Sequence, residues 1–294
     1  MTYREERRGR LGAAAVAALA WRLTERDRQV ALACYEHRVL TTEQLRRLHF
    51  GSSRRCRIRL EQLYQLRVLD RFRPPKQHGQ GSAPYHWVMD EGGAHIAAQA
   101  LGLERSELHW RHQAAIGLAT SAKLTHQLQV NELATRLAEE LAEAGGRLGT
   151  WWGERRCQAA LEGLVAPDGY LQLRLPGQQP VSLLLELDRA TEDYERLRQK
   201  ARRYLKALPR SPLADEEPLL VVTAPTQTRA DGIASALANS GLPHRIVVWT
   251  PARSPLSALA DALALPTAAT GGEGKPHKDS SPHIDLAPLP APDD

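Results

Sequence analysis

Three carboxylates near the middle of the chain have the residue types and spacing that metal-dependent phosphodiester chemistry requires. Asp168 lies on one short strand-like segment, and Glu186 and Asp188 end the next one. We therefore expect the three side chains at the ends of neighbouring strands. Carboxylate oxygens bind Mg²⁺ or Mn²⁺, and the cation would offset charge on a phosphate. Lys200, on the basic amphipathic segment that follows, would add a positive charge beside this predicted metal site.

A structural ion-pair cluster is the alternative interpretation of these carboxylates. Glu186 and Asp188 are two residues apart on a strand, so their side chains point to the same face. Two buried like charges need compensation by a cation or an arginine. The arginines that could provide it are Arg189, Arg198 and Arg202. The sequence leaves both interpretations open.

Other chemistries have weaker support in the sequence. Tyr170, Tyr194 and Tyr204 could act as nucleophiles, but tyrosines at strand or helix spacing among apolar neighbours are usually core residues. His109 and His112 have HxxH spacing without a third ligand, which favours polar surface or interface positions over a metal pair. No GxxxxGK[ST] loop is present, which argues against nucleotide-driven unwinding.

The elements that must position the carboxylates alternate between strand and helix. A long helix is predicted over 114–144, and further helices over 191–207 and 227–240. The predicted strands lie within 148–161, in GYLQLRL and VSLLLEL, and at 219–224 and 244–250. This pattern predicts an α/β second half with a mixed sheet.

Positive charge is concentrated at the start of the chain. Residues 1–76 contain 18 Lys or Arg and 8 Asp or Glu, whereas the whole chain has a net charge of +5. An acidic partner such as nucleic acid is therefore expected to bind the N-terminal part. No apolar run approaches the length of a membrane span, and the three separated cysteines fit buried thiols in a reducing compartment. We expect a cytoplasmic protein that does not bind membranes.

The N-terminal part has the pattern of a helix-turn-helix. Thr24 predicts the start of one helix, and Thr41 with Gln44 predicts the start of a second, because these residues cap helix N-termini. Gly51 then precedes a third, basic helix, SRRCRIRLEQLYQL. On that helix Cys56, Leu60 and Leu63 share one face, which should point to the core. The residues expected to contact DNA from the other side are Arg54, Arg55, Arg57 and Ile58.

Two strand-like runs follow this basic helix, VLDRFR at 68–73 and YHWVM at 85–89. The loop between them is rich in Pro, Gly and basic residues, which is typical of a β-hairpin wing. Lys76 and His78 at its tip would contact backbone phosphates. Such contacts position the protein on DNA but do not select a sequence. For the basic helix before these strands, the alternative is a basic face that is merely solvated.

The order of these motifs resembles two known groups of proteins. A helix with Glu132, a strand with Pro167-Asp168 and a strand ending Glu186-Leu187-Asp188 resemble the restriction-endonuclease-like, PD-(D/E)XK, nuclease core. With a winged helix ahead of it, the chain resembles the bacterial plasmid replication-relaxation family. The stretches that carry this resemblance are RLTERDRQVALACYEHRVLTTEQL, PDGYLQL and LELDRATE. The resemblance implies that Asp168 and Glu186 are metal ligands and that Glu132 orients a water or adds a carboxylate.

One departure from the nuclease pattern affects the predicted activity. The pattern ends in Lys, whereas this chain has Asp188 at that position. A lysine there would help to activate the attacking water. Three interpretations stay open: Lys200 supplies the cation from the next helix, Asp188 is a further metal ligand, or the site is inactive and the fold is a scaffold.

The sequence thus predicts a DNA-binding protein of plasmid or mobile-element replication, with metal-dependent nicking or cleavage as its activity. A non-catalytic, sequence-specific origin-binding protein is the alternative. Expected partners are duplex DNA, replication or conjugation proteins and, for a palindromic target, a second copy of the chain. The expected α+β organisation is a basic N-terminal helix (1–22), a winged helix-turn-helix (23–90), a helical connector (91–112), a nuclease-like domain (113–265) and a disordered tail (266–294).

Overall fold

The computed structural model describes residues 10–74 and 83–263 and divides the chain into two compact units, residues 1–128 and 129–294. The first unit combines helices with a small antiparallel sheet, and the second contains a five-stranded mixed sheet with helices. The expected mixture of helices and a mixed sheet is therefore confirmed. The predicted tail and the predicted phosphate contacts Lys76 and His78 lie outside the described residues.

The first unit contains a three-stranded antiparallel sheet in the order β1-β3-β2. Its elements are α1 (Ala13–Arg22), α2 (Glu25–Glu36), β1 (Leu40–Thr41), α3 (Thr42–His49), α4 (Ser53–Gln65), β2 (Leu69–Phe72), β3 (His86–Met89), α5 (Glu91–Leu101) and α6 (His112–Gly117). The two predicted strands are present as β2 and β3. Strand β1 was not expected, because two residues carry no periodicity and form a strand only by pairing with β3.

Capping residues determine where the first helices begin. The Thr24 hydroxyl accepts a hydrogen bond from the backbone of Asp27, whose carboxylate accepts one from the Thr24 backbone in return. Thr41 and Gln44 form the same reciprocal pair at the start of α3. These capping boxes provide hydrogen-bond acceptors for backbone N–H groups in the first turn, which have no acceptor within the helix.

The predicted helix over 114–144 is interrupted in the structure. Helix α6 ends at Gly117, a 3₁₀ turn covers Leu118–Thr120, and α7 runs from Leu124 to Glu143. At the break the Ser121 hydroxyl accepts a hydrogen bond from the Lys123 backbone at 3.2 Å. Such local bonds from serine compete with the helical ladder, and the leucines that predict the helix, from Leu124 to Leu141, all lie after this break.

The second unit contains the five-stranded sheet, in the order β4-β5-β6-β7-β8. Its elements after α7 are β4 (Arg147–Gly153), α8 (Glu154–Ala160), β5 (Gly169–Arg174), β6 (Val181–Leu187), α9 (Tyr194–Ala207), β7 (Leu219–Ala224), α10 (Gln227–Leu237), β8 (His244–Val248) and α11 (Pro255–Leu263). The β4–β5 and β5–β6 pairs are antiparallel, and the β6–β7 and β7–β8 pairs are parallel. The five predicted strands are all present, and α8 and α11 are additional helices.

Helices α9 and α10 pack on one face of this sheet. The buried cluster between them and the strands includes Leu184, Val222, Leu197, Ala201 and Ile233. Because side chains alternate across a strand, Leu184 and Glu186 point to the same face of β6. The packing of α9 therefore places the helix directly over Glu186.

Candidate functional site

The pairing of β5 with β6 positions Asp168. Gly169 lies opposite Leu185 in the antiparallel ladder, so Asp168 lies beside the carboxyl end of β6. Its backbone N–H donates to the Leu185 carbonyl at 2.9 Å, and its Oδ2 accepts from the Leu187 backbone N–H at 2.7 Å. The carboxylate is thus held at the end of the strand that carries Glu186.

Glu186 is enclosed between β6 and α9, with 7% of its surface exposed. Lys200 Nζ lies 2.5 Å from Glu186 Oε2, and the Tyr204 hydroxyl donates a hydrogen bond to Oε1. Lys200 and Tyr204 are four residues apart on α9, so they face the same strand. The buried Glu186 carboxylate therefore accepts hydrogen bonds from one cationic donor, Lys200, and one neutral donor, Tyr204, on the same helix.

The electrostatics of this cluster depend mainly on burial. Burial raises the pKa of the Glu186 carboxyl to about 7, the Asp168 charge acts in the same direction, and Lys200 and Tyr204 oppose it. Burial disfavours the charged form of Lys200, but the Glu186 charge outweighs it and leaves the Lys200 pKa raised. Burial and the Glu186 charge together raise the pKa of Tyr204, which keeps its proton as a hydrogen-bond donor.

Asp188 lies in a different environment from Glu186. Arg229 of α10 binds it through two hydrogen bonds, Nε to Oδ1 at 2.9 Å and Nη2 to Oδ2 at 2.6 Å. The guanidinium also lies 4.5 Å from the centre of the Tyr194 ring. The pKa of Arg229 is raised, chiefly by its hydrogen bonds to Asp188. Bidentate arginine–carboxylate pairs of this kind are strong and geometrically specific.

The compensating cations differ from those that the sequence suggested. Lys200 and Arg229 pair with the two carboxylates, whereas Arg198 pairs with Glu195 at 3.3 Å. Arg189 and Arg202 are exposed. The reason is the register of the two helices, which turns Lys200 and Arg229 inward and leaves Arg198 and Arg202 on the solvent side of α9.

The structure brings Asp168, Glu186 and Lys200 together and pairs Asp188 with Arg229. Within residues 10–74 and 83–263, no group of three His, Cys, Asp or Glu side chains is arranged to hold a metal ion. Glu132 lies on α7, partly buried, and its role stays a prediction. A metal at Asp168 and Glu186 would take its remaining ligands from water or phosphate, as Mg²⁺ commonly does.

The three tyrosines considered as nucleophiles occupy structural positions. Tyr170 is buried, and its hydroxyl is hydrogen-bonded to Ser182 at 3.0 Å. Tyr204 donates to Glu186, as described above. Tyr194 is partly exposed and lies under the Arg229 guanidinium. The part that Tyr204 plays was not predicted, although its spacing of four residues from Lys200 was a visible signal.

Helix α4 separates an apolar face from a basic one, as its sequence predicts. Cys56, Leu60 and Leu63 are fully buried. The opposite side is exposed and carries the four residues predicted to contact DNA, Arg54, Arg55, Arg57 and Ile58. Ile58 is 52% exposed, which is unusual for a large apolar side chain. Packing therefore leaves three guanidinium groups and one apolar side chain on an open surface.

A buried ion pair that the sequence did not suggest anchors α4. Asp27 of α2 is fully buried and accepts hydrogen bonds from Arg59 Nε at 2.7 Å and from Arg59 Nη2 at 2.5 Å. Burial would raise the pKa of Asp27, but the hydrogen bonds from Arg59 and Thr24 outweigh it and leave the pKa lowered. Asp27 thus has two roles: it belongs to the capping box of α2, and it binds Arg59 of α4.

Aromatic rings and arginines surround strands β2 and β3. The Arg71 guanidinium lies 4.4 Å from the Tyr64 ring centre and 4.2 Å from the Tyr85 ring centre, and it forms an ion pair with Glu61. Arg73 lies 3.9 Å from the Tyr85 ring centre. These cation–π contacts connect α4 to both strands.

The histidines of the HxxH motif do not form a pair of ligands. His112 Nε2 lies 2.8 Å from Asp70 Oδ2, and Asp90 lies further away at 3.9 Å. The hydrogen bond with Asp70 raises the pKa of His112. His109 has a φ of 48°, a left-handed conformation that turns the chain before α6. His112, the first residue of α6, is therefore held by a hydrogen bond to Asp70 of β2.

Comparison with known protein families identifies a match for most of the chain. A family model described as replication-relaxation matches residues 33–211, which is more than half of the chain. No curated protein and no solved structure matches the chain. None of the helices described between residues 10 and 263 is both long and apolar enough to cross a membrane. The matched range contains α4, Asp168, Glu186 and Lys200.

Proposed function

Because the chain belongs to the replication-relaxation family, we propose that it is a DNA-binding protein that acts in replication of plasmid or mobile-element DNA. The first unit would bind duplex DNA as a winged helix-turn-helix. Helix α4 would enter the major groove, and the loop between β2 and β3, with Lys76 and His78, would contact the backbone.

The exposed arginines of α4 are the observation that carries this proposal. Arg54, Arg55 and Arg57 lie in the first turns of a helix whose other face is fully buried. Guanidinium groups pair with phosphates and, through two hydrogen bonds, with guanine edges in the major groove. The exposed Ile58 would contact a thymine methyl group or a sugar. The α2-β1-α3-α4-β2-β3 order supports the same proposal.

Substitution of these arginines tests the proposal. We expect Arg54→Gln/Arg55→Gln/Arg57→Gln to weaken binding to a labelled duplex and to lower the salt slope of log K by about 0.9 for each lost phosphate contact. Fluorescence anisotropy over a salt series measures both. The matched control is Arg28→Gln/Arg111→Gln/Lys123→Gln, which removes three charges elsewhere in the first unit, one partly and two fully exposed. Equal effects of the two triple variants would contradict a specific role for α4.

We propose in addition that the second unit cleaves or nicks DNA with Mg²⁺ or Mn²⁺. The specific observation is that Lys200 contacts Glu186 beside Asp168. This contact supports the interpretation that Lys200 of α9 replaces the lysine that the nuclease pattern has on the strand. The donor set fits a hard divalent cation, since Asp168 and Glu186 offer carboxylate oxygens at one sheet edge. Bound there, the cation would polarise a phosphate oxygen.

The residues of this chain would have separate roles in that reaction. Asp168 is oriented by the Leu187 backbone N–H, which donates to its Oδ2, and its carboxylate would be a ligand of the cation. Lys200 would move from Glu186 toward a phosphate oxygen and offset its charge. Tyr204 would keep its hydrogen bond to Glu186 and hold that carboxylate in place. Asp188, bound to Arg229, would keep α10 beside the end of β6.

Metal titration combined with a nicking assay tests this second proposal. Asp168→Ala/Glu186→Ala should lose Mn²⁺ binding in isothermal titration and lose nicking of supercoiled plasmid. Lys200→Met should retain metal binding and lose nicking. Glu195→Gln, an exposed change on the same helix, is the control and should behave as wild type. Metal binding without nicking in the wild type would contradict cleavage and favour a non-catalytic scaffold that binds an origin and other replication proteins.

A further inference from the structure

Positive charge in the second unit is concentrated on one helix. Residues 129–263 contain 16 Lys or Arg and 17 Asp or Glu, so that part of the chain is nearly neutral. Helix α9 contains six of these Lys or Arg and a single acidic residue, Glu195. Apart from Lys200, the basic residues of α9 are exposed, and we call them the α9 basic face: Arg196, Arg198, Arg202, Arg203 and Lys206.

The packing of α9 determines which side of the helix this face occupies. Leu197, Ala201 and Tyr204 are buried against the sheet. Lys200 lies at the rim of the buried side, where it contacts Glu186. Arg196 and Arg203 are four residues before and three residues after Lys200, so they share its flank of the helix. One flank of α9 thus carries a cation on each side of the candidate site.

The α9 basic face has no evident role in stabilising the fold. Arg202, Arg203 and Lys206 form no ion pair with any residue in the described part of the chain. Arg196 pairs with Asp193, which caps α9, and Arg198 pairs with Glu195; both carboxylates are exposed, and such pairs contribute little. Arg198, Arg202 and Lys206 are spaced at four residues, which places like charges together and disfavours the helix. A ligand that neutralises them would offset this repulsion.

We propose that the α9 basic face is a second DNA-contacting surface, which binds backbone phosphates beside Asp168, Glu186 and Lys200. This inference rests on the proposed DNA-binding function and extends it to the second unit. Arg196 and Arg203 are separated by about 10 Å along the helix axis, which lets them hold phosphates on both sides of the one nearest Lys200. The face would therefore deliver the backbone to the candidate site.

An acidic protein is the competing occupant of the same face. Protein interfaces usually place an apolar patch at their centre and polar residues at the rim. Here the centre is Gln199 surrounded by the cations, and the exposed Leu205 lies at the edge. A surface of charge without an apolar centre fits phosphate recognition, which is mainly electrostatic.

Charge removal on α9 tests the inference in the full-length protein. Arg202→Gln/Arg203→Gln/Lys206→Gln leaves Lys200 and the carboxylates intact. With a mixed-sequence labelled duplex of about 40 base pairs, its salt slope of log K should be lower than that of wild type by two to three. The matched control is Arg147→Gln/Arg174→Gln/Arg245→Gln, which removes three exposed arginines from strands of the same unit and should leave the slope unchanged.

The outcomes separate this inference from the proposed function. A loss of binding in the α4 triple variant together with an unchanged slope in the α9 variant would overturn the inference and leave DNA binding by α4 in place. A lower salt slope in the α9 triple variant, with unchanged binding by the α4 triple variant, would support the inference and contradict the role of α4. Absence of duplex binding by the wild type, or equal loss in the control triple, would also overturn it.

Site-specific crosslinking provides a second test that does not depend on charge. Cys34, Cys56 and Cys157 are all buried, so an introduced surface cysteine can be labelled selectively with a photoreactive group. Label at Gln199→Cys, in the centre of the α9 basic face, should crosslink to bound duplex. Label at Gln178→Cys, in the exposed turn between β5 and β6, should not. Crosslinking from residue 178 alone would overturn the proposed placement of DNA.

Discussion

At the scale of single residues, the ion pair between Asp27 and Arg59 is expected to stabilise the first unit. The Asp27 side chain is 1% exposed, so removal of Arg59 leaves a buried charge without its partner. We expect Arg59→Met to lower the free energy of unfolding by about 3 kcal/mol, measured by urea denaturation. Arg28→Met removes an exposed ion pair with Glu25 and should cost less than about 1 kcal/mol. Similar losses in the two variants would contradict a structural role for Arg59.

The hydrogen bond between His112 and Asp70 predicts a dependence on pH at the residue scale. Because the folded pKa of His112 is raised, its contribution to stability is complete below the unfolded value of about 6.5 and is lost as pH rises through the folded pKa. Hydrogen exchange of β2 and α6 should therefore become faster, relative to a His112→Gln variant at the same pH, as this range is crossed. An identical pH response of wild type and variant would contradict the assignment.

At the scale of elements, close approach between α5 and β2–β3 depends on glycine. A Cβ at Gly93 would lie 2.3 Å from the Val68 carbonyl oxygen and 2.7 Å from Met89 Cγ. Because the first neighbour is backbone, we expect Gly93→Ala to displace α5 and destabilise the first unit by about 3 kcal/mol or more in urea denaturation. Gly117→Ala is the control, since no atom lies within 4 Å of its added Cβ. It should be neutral or stabilising, because alanine favours helix.

At the scale of the whole molecule, the two basic surfaces predict the salt dependence of DNA binding. Each of the two units presents at least three exposed cations on one helix, α4 in the first and α9 in the second. If each surface contacts phosphates, a variant that combines both triple substitutions should lose salt slope additively, by about five in total. Fluorescence anisotropy at several salt concentrations measures this. A combined loss no larger than that of α4 alone would contradict a contribution from α9.

The chain's periodicity and capping residues were sufficient to predict much of its secondary structure. Thr24, Thr41 and Gln44 marked helix starts correctly, and the apolar run VSLLLEL predicted strand β6. The break between α6 and α7 escaped prediction because it depends on a local serine turn, which apolar periodicity does not indicate. Helix α11 also escaped, since Glu140 of α7 caps it from far away in the chain, through Ser254 and Leu256.

The sequence by itself determined which residues carry charge and which face of α4 is apolar, because local periodicity reflects burial directly. Only the tertiary structure decided how the charges pair. Lys200, Tyr204 and Arg229 reach their carboxylates from helices that lie 14 to 41 residues further along the chain. Those contacts follow from how α9 and α10 pack on the sheet. Partner choice among several nearby arginines depends on that packing, which local sequence patterns do not encode.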